Sequence, residues 1–129
     1  MKSGLELRDS RISRVDVSGG VATIHFSHAY IHKSTRTPGI DPGTGWSQEA
    51  QLILSEVADL ESVPRTPNTI SDGYLEVGGI KHELVPLPFK RKVGAILRIT
   101  FVDGTDFEIA GAKPLIELLG APIYLEDFP

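Results

Sequence analysis

Apolar and polar residues alternate with a period of two along much of this chain, and paired glycines interrupt the alternation. That pattern predicts antiparallel strands joined by tight turns. In RVDVSGGVATIHF, a two-residue turn at Gly19-Gly20 sets Val17 opposite Ala22, Val15 opposite Ile24 and Asp16 opposite Thr23. Apolar residues then share one face and polar residues the other, so the register is self-consistent. In YLEVGGIKHEL, a turn at Gly78-Gly79 pairs Val77 with Ile80, Leu75 with His82 and Glu76 with Lys81. A third hairpin, ILRITFVDGTDFEIAG, fails with a two-residue Asp103-Gly104 loop, because Phe101 would face Asp106 and Ile99 would face Glu108. A three-residue loop, Val102-Asp103-Gly104, with Gly104 left-handed as a bulge, pairs Ile99 with Phe107 and Leu97 with Ile109, and it is the turn expected here.

Two spans fit either regular element. Residues 48–60 place Ala50, Leu52, Leu54, Ala58 and Leu60 on alternate positions, yet Ala50, Ile53, Leu54, Val57 and Leu60 also fit a helix capped by Ser47. Strand is preferred, because every well-registered neighbour is an antiparallel strand. KPLIELLG at 113–120 reads as a short helix with Pro114 in its first turn or as a short strand, and PIYLEDF reads as a closing strand. Pro64, Pro67, Pro86 and Pro88 mark connections. The fold class expected is mainly β: an antiparallel sandwich or partly open barrel built from hairpins, in a single all-β domain over 1–129, with at most one or two short helices.

A length of 129 residues, 40% of them hydrophobic and 23% charged, matches one globular domain. The opening MKSGLELRDSR is charged throughout, and no window approaches a membrane span, so a soluble cytoplasmic protein is expected. Zero cysteines exclude disulfides, thiol catalysis and cysteine-bound metals. The net charge of −4 is unevenly spread: residues 1–36 carry six bases and three acids, residues 37–64 five acids and no base, and the last sixteen residues three acids and no base. Only Lys90-Arg91-Lys92 and the spaced Arg8, Arg11 and Arg14 form basic groups, so nucleic acid is not the expected partner.

HFSHAYIH holds three of the four histidines. On a strand His28 and His32 lie about 13 Å apart, four rises of about 3.3 Å, too far to share an ion whose bonds to nitrogen are about 2 Å. No metal or other cofactor is expected. His28 and Tyr30 instead continue the inward line Ala22, Ile24, Phe26, to where the core gives way to a cleft or rim. Glu126 and Asp127 are sequence neighbours that face opposite ways on a strand, and Gly43-Thr44-Gly45 has neither the preceding strand nor the lysine of a phosphate loop. Ser47 lacks the turn that exposes a nucleophile.

The remaining interest lies in loop 33–48, longer than a hairpin requires, which ends in the chain's single tryptophan. Trp46, Asp41, Tyr30, His28 and Gln48 form an aromatic and polar set suited to a sugar, a peptide or a partner surface. Trp46 is either a buried peg that anchors the loop or an exposed contact. The function expected is a small soluble non-enzymatic binding or assembly module, acting on a protein or small-molecule partner and through a sheet edge that a homodimer would cover. The competing reading is a small hydrolase-type enzyme with a cleft near His28, Tyr30, His32 and Asp41. In addition, GAILRITFVDGTDFEIAG resembles the central hairpin of Sm-like barrels, which implies an RNA-binding barrel. That family's second signature hairpin carries a basic residue and a glycine, whereas the C-terminal GAPIYLEDF here is acidic.

Overall fold

The computed structural model describes residues 1–58, 60 and 62–129. Nine strands follow one another: β1 (Lys2–Ser18), β2 (Val21–Ser34), β3 (Gly43–Ser55), β4 (Asn68–Val77), β5 (Ile80–His82), β6 (Leu84–Leu87), β7 (Phe89–Lys90), β8 (Gly94–Phe101) and β9 (Asp106–Phe128). Among the described residues there is no helix, and none is therefore long and apolar enough to cross a membrane. All pairings are antiparallel. The sheet runs β5-β4-β8-β9-β3-β2-β1-β6, and a further β4–β1 pairing brings it round into a ring of strands, the partly open barrel expected of a chain made of hairpins.

All three hairpins take the registers that their turns dictate. Val17 pairs with Ala22 and Val15 with Ile24; Leu75 pairs with His82 and Glu76 with Lys81; Leu97 pairs with Ile109 and Ile99 with Phe107. Gly104 is left-handed at φ 88°, as the bulged three-residue turn requires. The ambiguous spans are both strand: β3 covers 48–55, and 113–120 lies inside β9. Ala50, Leu52 and Leu54 point inward, so the period-two reading of that stretch is the one realised. The strand stops at Ser55, short of the expected 60, and Asp59 lies outside the described residues.

The interior is lined by inward residues from the ring strands, including Ile12, Ile24, Phe26, Leu52, Leu54, Ile70, Leu75, Leu97, Ile99 and Phe101, each buried. Each large apolar side chain removed from water contributes about 1.5–3 kcal/mol. Leu5, Ile31 and Val85 continue the core along a second sheet segment, where β6, β1, β2, β3 and the end of β9 lie side by side.

Two bulges set the shape of that segment. β1 breaks register between Glu6 and Arg11, with Asp9 left-handed at φ 70°, and β2 breaks register between Phe26 and Ala29. Bulges bend a strand and re-aim the side chains beyond them. Ser10, fully buried, fills the gap: its hydroxyl donates to the Glu6 carbonyl at 2.5 Å and accepts from the Tyr30 N–H at 2.9 Å, so the displaced backbone group keeps a partner. The β2 bulge also corrects the expected inward line. Beyond Phe26 it is Ala29 and Ile31 that face the core, both fully buried, while His28 is exposed and Tyr30 and His32 lie on the opposite face.

The long loop is shorter than its sequence implied. β2 extends to Ser34 and β3 begins at Gly43, so only residues 35–42 connect them, and Trp46 is a strand residue. The glycines at 43 and 45 read as loop but serve as strand positions. A side chain on Gly43 would collide with the Lys33 carbonyl oxygen, and one on Gly45 would meet the Tyr30 hydroxyl at 2.5 Å.

Candidate functional site

Cross-strand pairing places Trp46 opposite Ile31 on one side and Tyr124 on the other. Paired residues share a sheet face, so Trp46 lies on the core side, half-buried against the edge of the core. Its indole N–H donates to Thr44 Oγ1 at 2.8 Å, the Lys33 ammonium sits 4.6 Å from its ring, and the Tyr124 ring meets it edge-on at 5.4 Å. Trp46 is thus neither a buried peg nor a free contact. One face packs on the core and the rest forms an aromatic patch with Tyr124.

The opposite face holds a different constellation. Tyr30, His32 and Phe128 cluster there, with ring centroids of Tyr30 and His32 4.9 Å apart and those of His32 and Phe128 stacked at 4.8 Å. Gly45 forms the floor under Tyr30 and Phe128. His32 is 9% exposed, and its Nε2 lies 2.7 Å from Glu6 Oε2. Tyr30 donates its hydroxyl to Glu126. Burial first, and then this bond to a carboxylate, hold the Tyr30 phenol well above its ordinary range, so it remains a donor.

Residues 35–42 fold over this face and are knit together by their own polar groups. The Ile40 and Asp41 N–H groups both donate to the Thr37 carbonyl, at 3.2 and 2.9 Å, and the Thr37 N–H donates to Asp41 Oδ2 at 3.0 Å. Ser34 Oγ donates to the Pro42 carbonyl at 2.9 Å. Asp41 therefore shapes the loop as a turn-forming carboxylate does. His32 sits between two cavities under the loop. One, of about 180 Å³, is bounded by Asp41, Gly43, Phe128 and Lys33; the other, of about 420 Å³, by Glu6, Glu83, Pro38, Ile40 and Leu84. A neighbouring hollow of about 300 Å³ shares Glu6 and Glu83 and adds Arg8 and Asp72. The wall of the 420 Å³ cavity thus combines two carboxylates, a histidine and an apolar lip, with Ile40 83% exposed at the rim, and no Lys or Arg.

Of the residues singled out from sequence, Tyr30 and Asp41 flank this site, one beside His32 in the ring cluster and the other in the loop above it. Trp46 is on the far face of the same sheet. His28 is exposed at the β2 bulge, with Nδ1 3.1 Å from the Ser27 hydroxyl, and Gln48 donates to the Gly120 carbonyl at 3.0 Å, bracing an irregular stretch of β9. Glu6, Glu83 and Phe128 escaped sequence reading because each joins from far away in the chain, Glu6 and Phe128 from β1 and β9 and Glu83 from the bend between β5 and β6. The phase change from even to odd apolar positions, Ala22-Ile24-Phe26 to Ala29-Ile31, was the one local signal that Tyr30 and His32 share the outer face. Among the described residues no group of three metal-binding side chains converges. The hydrogen-bond partner of His32 is a carboxylate rather than a hydroxyl that could act as nucleophile. Comparison with family models, with curated proteins and with solved structures returned no match, so the Sm-like resemblance of residues 94–111 has no support beyond the hairpin itself.

Proposed function

We propose that this protein is a soluble, cytoplasmic, non-enzymatic binding module, and that its ligand is a positively charged group on an apolar stem, the size of an arginine or lysine side chain. The reading is carried by the 420 Å³ cavity beside His32: Glu6 and Glu83 supply negative charge, while Pro38, Ile40 and Leu84 supply an apolar wall that a methylene stem would cover. Glu83 has no ion-pair partner among the described residues, which leaves its carboxylate available to an incoming cation. Glu6 already engages His32, so it acts through a more fixed geometry.

Agmatine, a guanidinium on a short methylene chain, is a suitable probe for calorimetry or for chemical-shift titration. Binding is expected to weaken with added salt and to fall about tenfold in Glu83→Gln, a loss of about 1.4 kcal/mol for a charge-assisted contact. An uncharged amide of the same length should bind far more weakly. Equal binding of agmatine by Glu83→Gln and the unaltered protein, or equal binding of the uncharged analogue, would remove the cavity as a cation site.

A further inference from the structure

The outer edge of β9 leads to a separate conclusion. β9 pairs with β8 and then β7 on one side only as far as Ile116, while its other side stays bonded to β3 out to Phe128. From Glu117 to Phe128 one whole edge has no partner among the described residues. Exposed apolar side chains concentrate on this stretch: Leu118 41%, Ile123 63%, Tyr124 45% and Leu125 49%. An unpaired backbone edge carrying large apolar residues is a template for another strand.

We infer that the edge is covered by a second copy of this chain, β9 against β9, antiparallel about a two-fold axis at Ile123. An antiparallel edge is self-complementary under such an axis, since each copy offers the same donors and acceptors in reversed order. Charge and apolar exposure together place the axis, since Ile123 is the most exposed apolar side chain of this stretch at 63%. An axis at Pro122 would set Asp127 of one copy against Glu117 of the other, a like-charge pair that destabilises. An axis at Ile123 sets Ile123 on itself, Tyr124 against Pro122, which has no N–H to offer, and Leu125 against Ala121, with no acid facing an acid. It also runs the acidic end Glu126-Asp127 of each copy toward Lys90-Arg91-Lys92 of the other. β7 places that basic cluster on the same side of β9, where the free edge begins. The aromatic patch of Trp46 and Tyr124 then becomes continuous across the axis. The pairing is independent of the cavity beside His32.

The lack of any cysteine makes the test specific. In Ile123→Cys the single thiol of each copy lies on the axis, and mild oxidation is expected to give mostly covalent dimer. Ile80→Cys is the control, because Ile80 is 61% exposed, close to the 63% of Ile123, yet lies on β5. The unaltered protein is expected to sediment at about twice its 14.0 kDa chain mass, and Ile123→Lys at the chain mass with an unchanged circular dichroism spectrum. A monomeric unaltered protein, or cross-linking of Ile80→Cys as efficient as that of Ile123→Cys, would overturn the pairing.

Discussion

Gly45 and Tyr30 hold each other in place. The strand needs a residue without a side chain at position 45 because the Tyr30 ring lies across it, and the ring lies there because its hydroxyl is tied to Glu126 on the far side of β3. A methyl group at Gly45 would sit 2.5 Å from the hydroxyl and 3.1 Å from Phe128 Cε2. Relief requires Tyr30 to swing away and give up Glu126. Gly45→Ala is therefore expected to cost about 1–3 kcal/mol in denaturant unfolding. Tyr30→Phe deletes the closest atom of the clash and the bond to Glu126 together, so in that background the cost of Gly45→Ala should shrink. The double-mutant cycle should give a coupling of about 0.5–3 kcal/mol. Additive effects would mean that the ring is not held over the glycine. No alternation pattern carries this dependency, because the three participants come from β2, β3 and β9; the sequence offers only a glycine in a stretch that reads as loop.

At the scale of elements, the turn at Val102–Gly104 combines local chemistry with a long-range tether. Asp103 Oδ1 accepts from the Thr105 hydroxyl at 2.6 Å and from the Thr105 N–H at 3.0 Å, and Asn68 Nδ2 donates to Oδ2 at 3.1 Å. The Thr105 hydroxyl chiefly, then its N–H, with a smaller part from Asn68, hold the Asp103 carboxyl below its usual 3.8. A depressed carboxyl stabilises the fold above its unfolded value, and that contribution disappears as pH falls through the folded value. The stability difference between the unaltered protein and Asp103→Asn should be constant near neutrality and shrink as pH drops below 3.8. A difference that grows on acidification would contradict the assignment. Gly104→Ala, which forces a methyl onto a residue at φ 88°, should cost about 1–2 kcal/mol at any pH. The hairpins were legible because each register follows from a few contiguous residues: glycines supply the left-handed turn, and the period of two then assigns the faces. The bulges at Asp9 and at Ser27–His28 were not, since a bulge is a mismatch between two strands. The same limit made Gly43 to Trp46 read as loop, because what turns them into strand is pairing with β2 and β9.

Across the whole molecule, strands differ in how many neighbours hold them, and stability should vary accordingly. β2 lies between β1 and β3, β3 between β2 and β9, and β8 between β4 and β9, so both edges of each are bonded and their inward residues are buried. The ring closes through a narrow contact, Arg11 with Thr69 and Ile12 with Asn68, reinforced by Arg11 Nη1 donating to Thr69 Oγ1 at 3.2 Å. Such a joint, between residues 58 apart in the chain, leaves no local sequence trace. Local opening costs least where few buried contacts and few bonded edges resist it. Amide exchange is therefore expected to be slowest around Ile24, Leu52 and Leu97, intermediate at the β1–β4 joint, and fastest in 35–42 and along 118–128. Dilution separates the two sources of protection in the last segment. Bonds to β3 persist at any concentration, whereas those across a two-fold at Ile123 disappear with the second copy, so exchange in 118–128 alone should accelerate as the protein is diluted. Uniform protection across all nine strands would mean that the molecule opens as one cooperative unit, and that the β9 edge is no weaker than the ring it extends from.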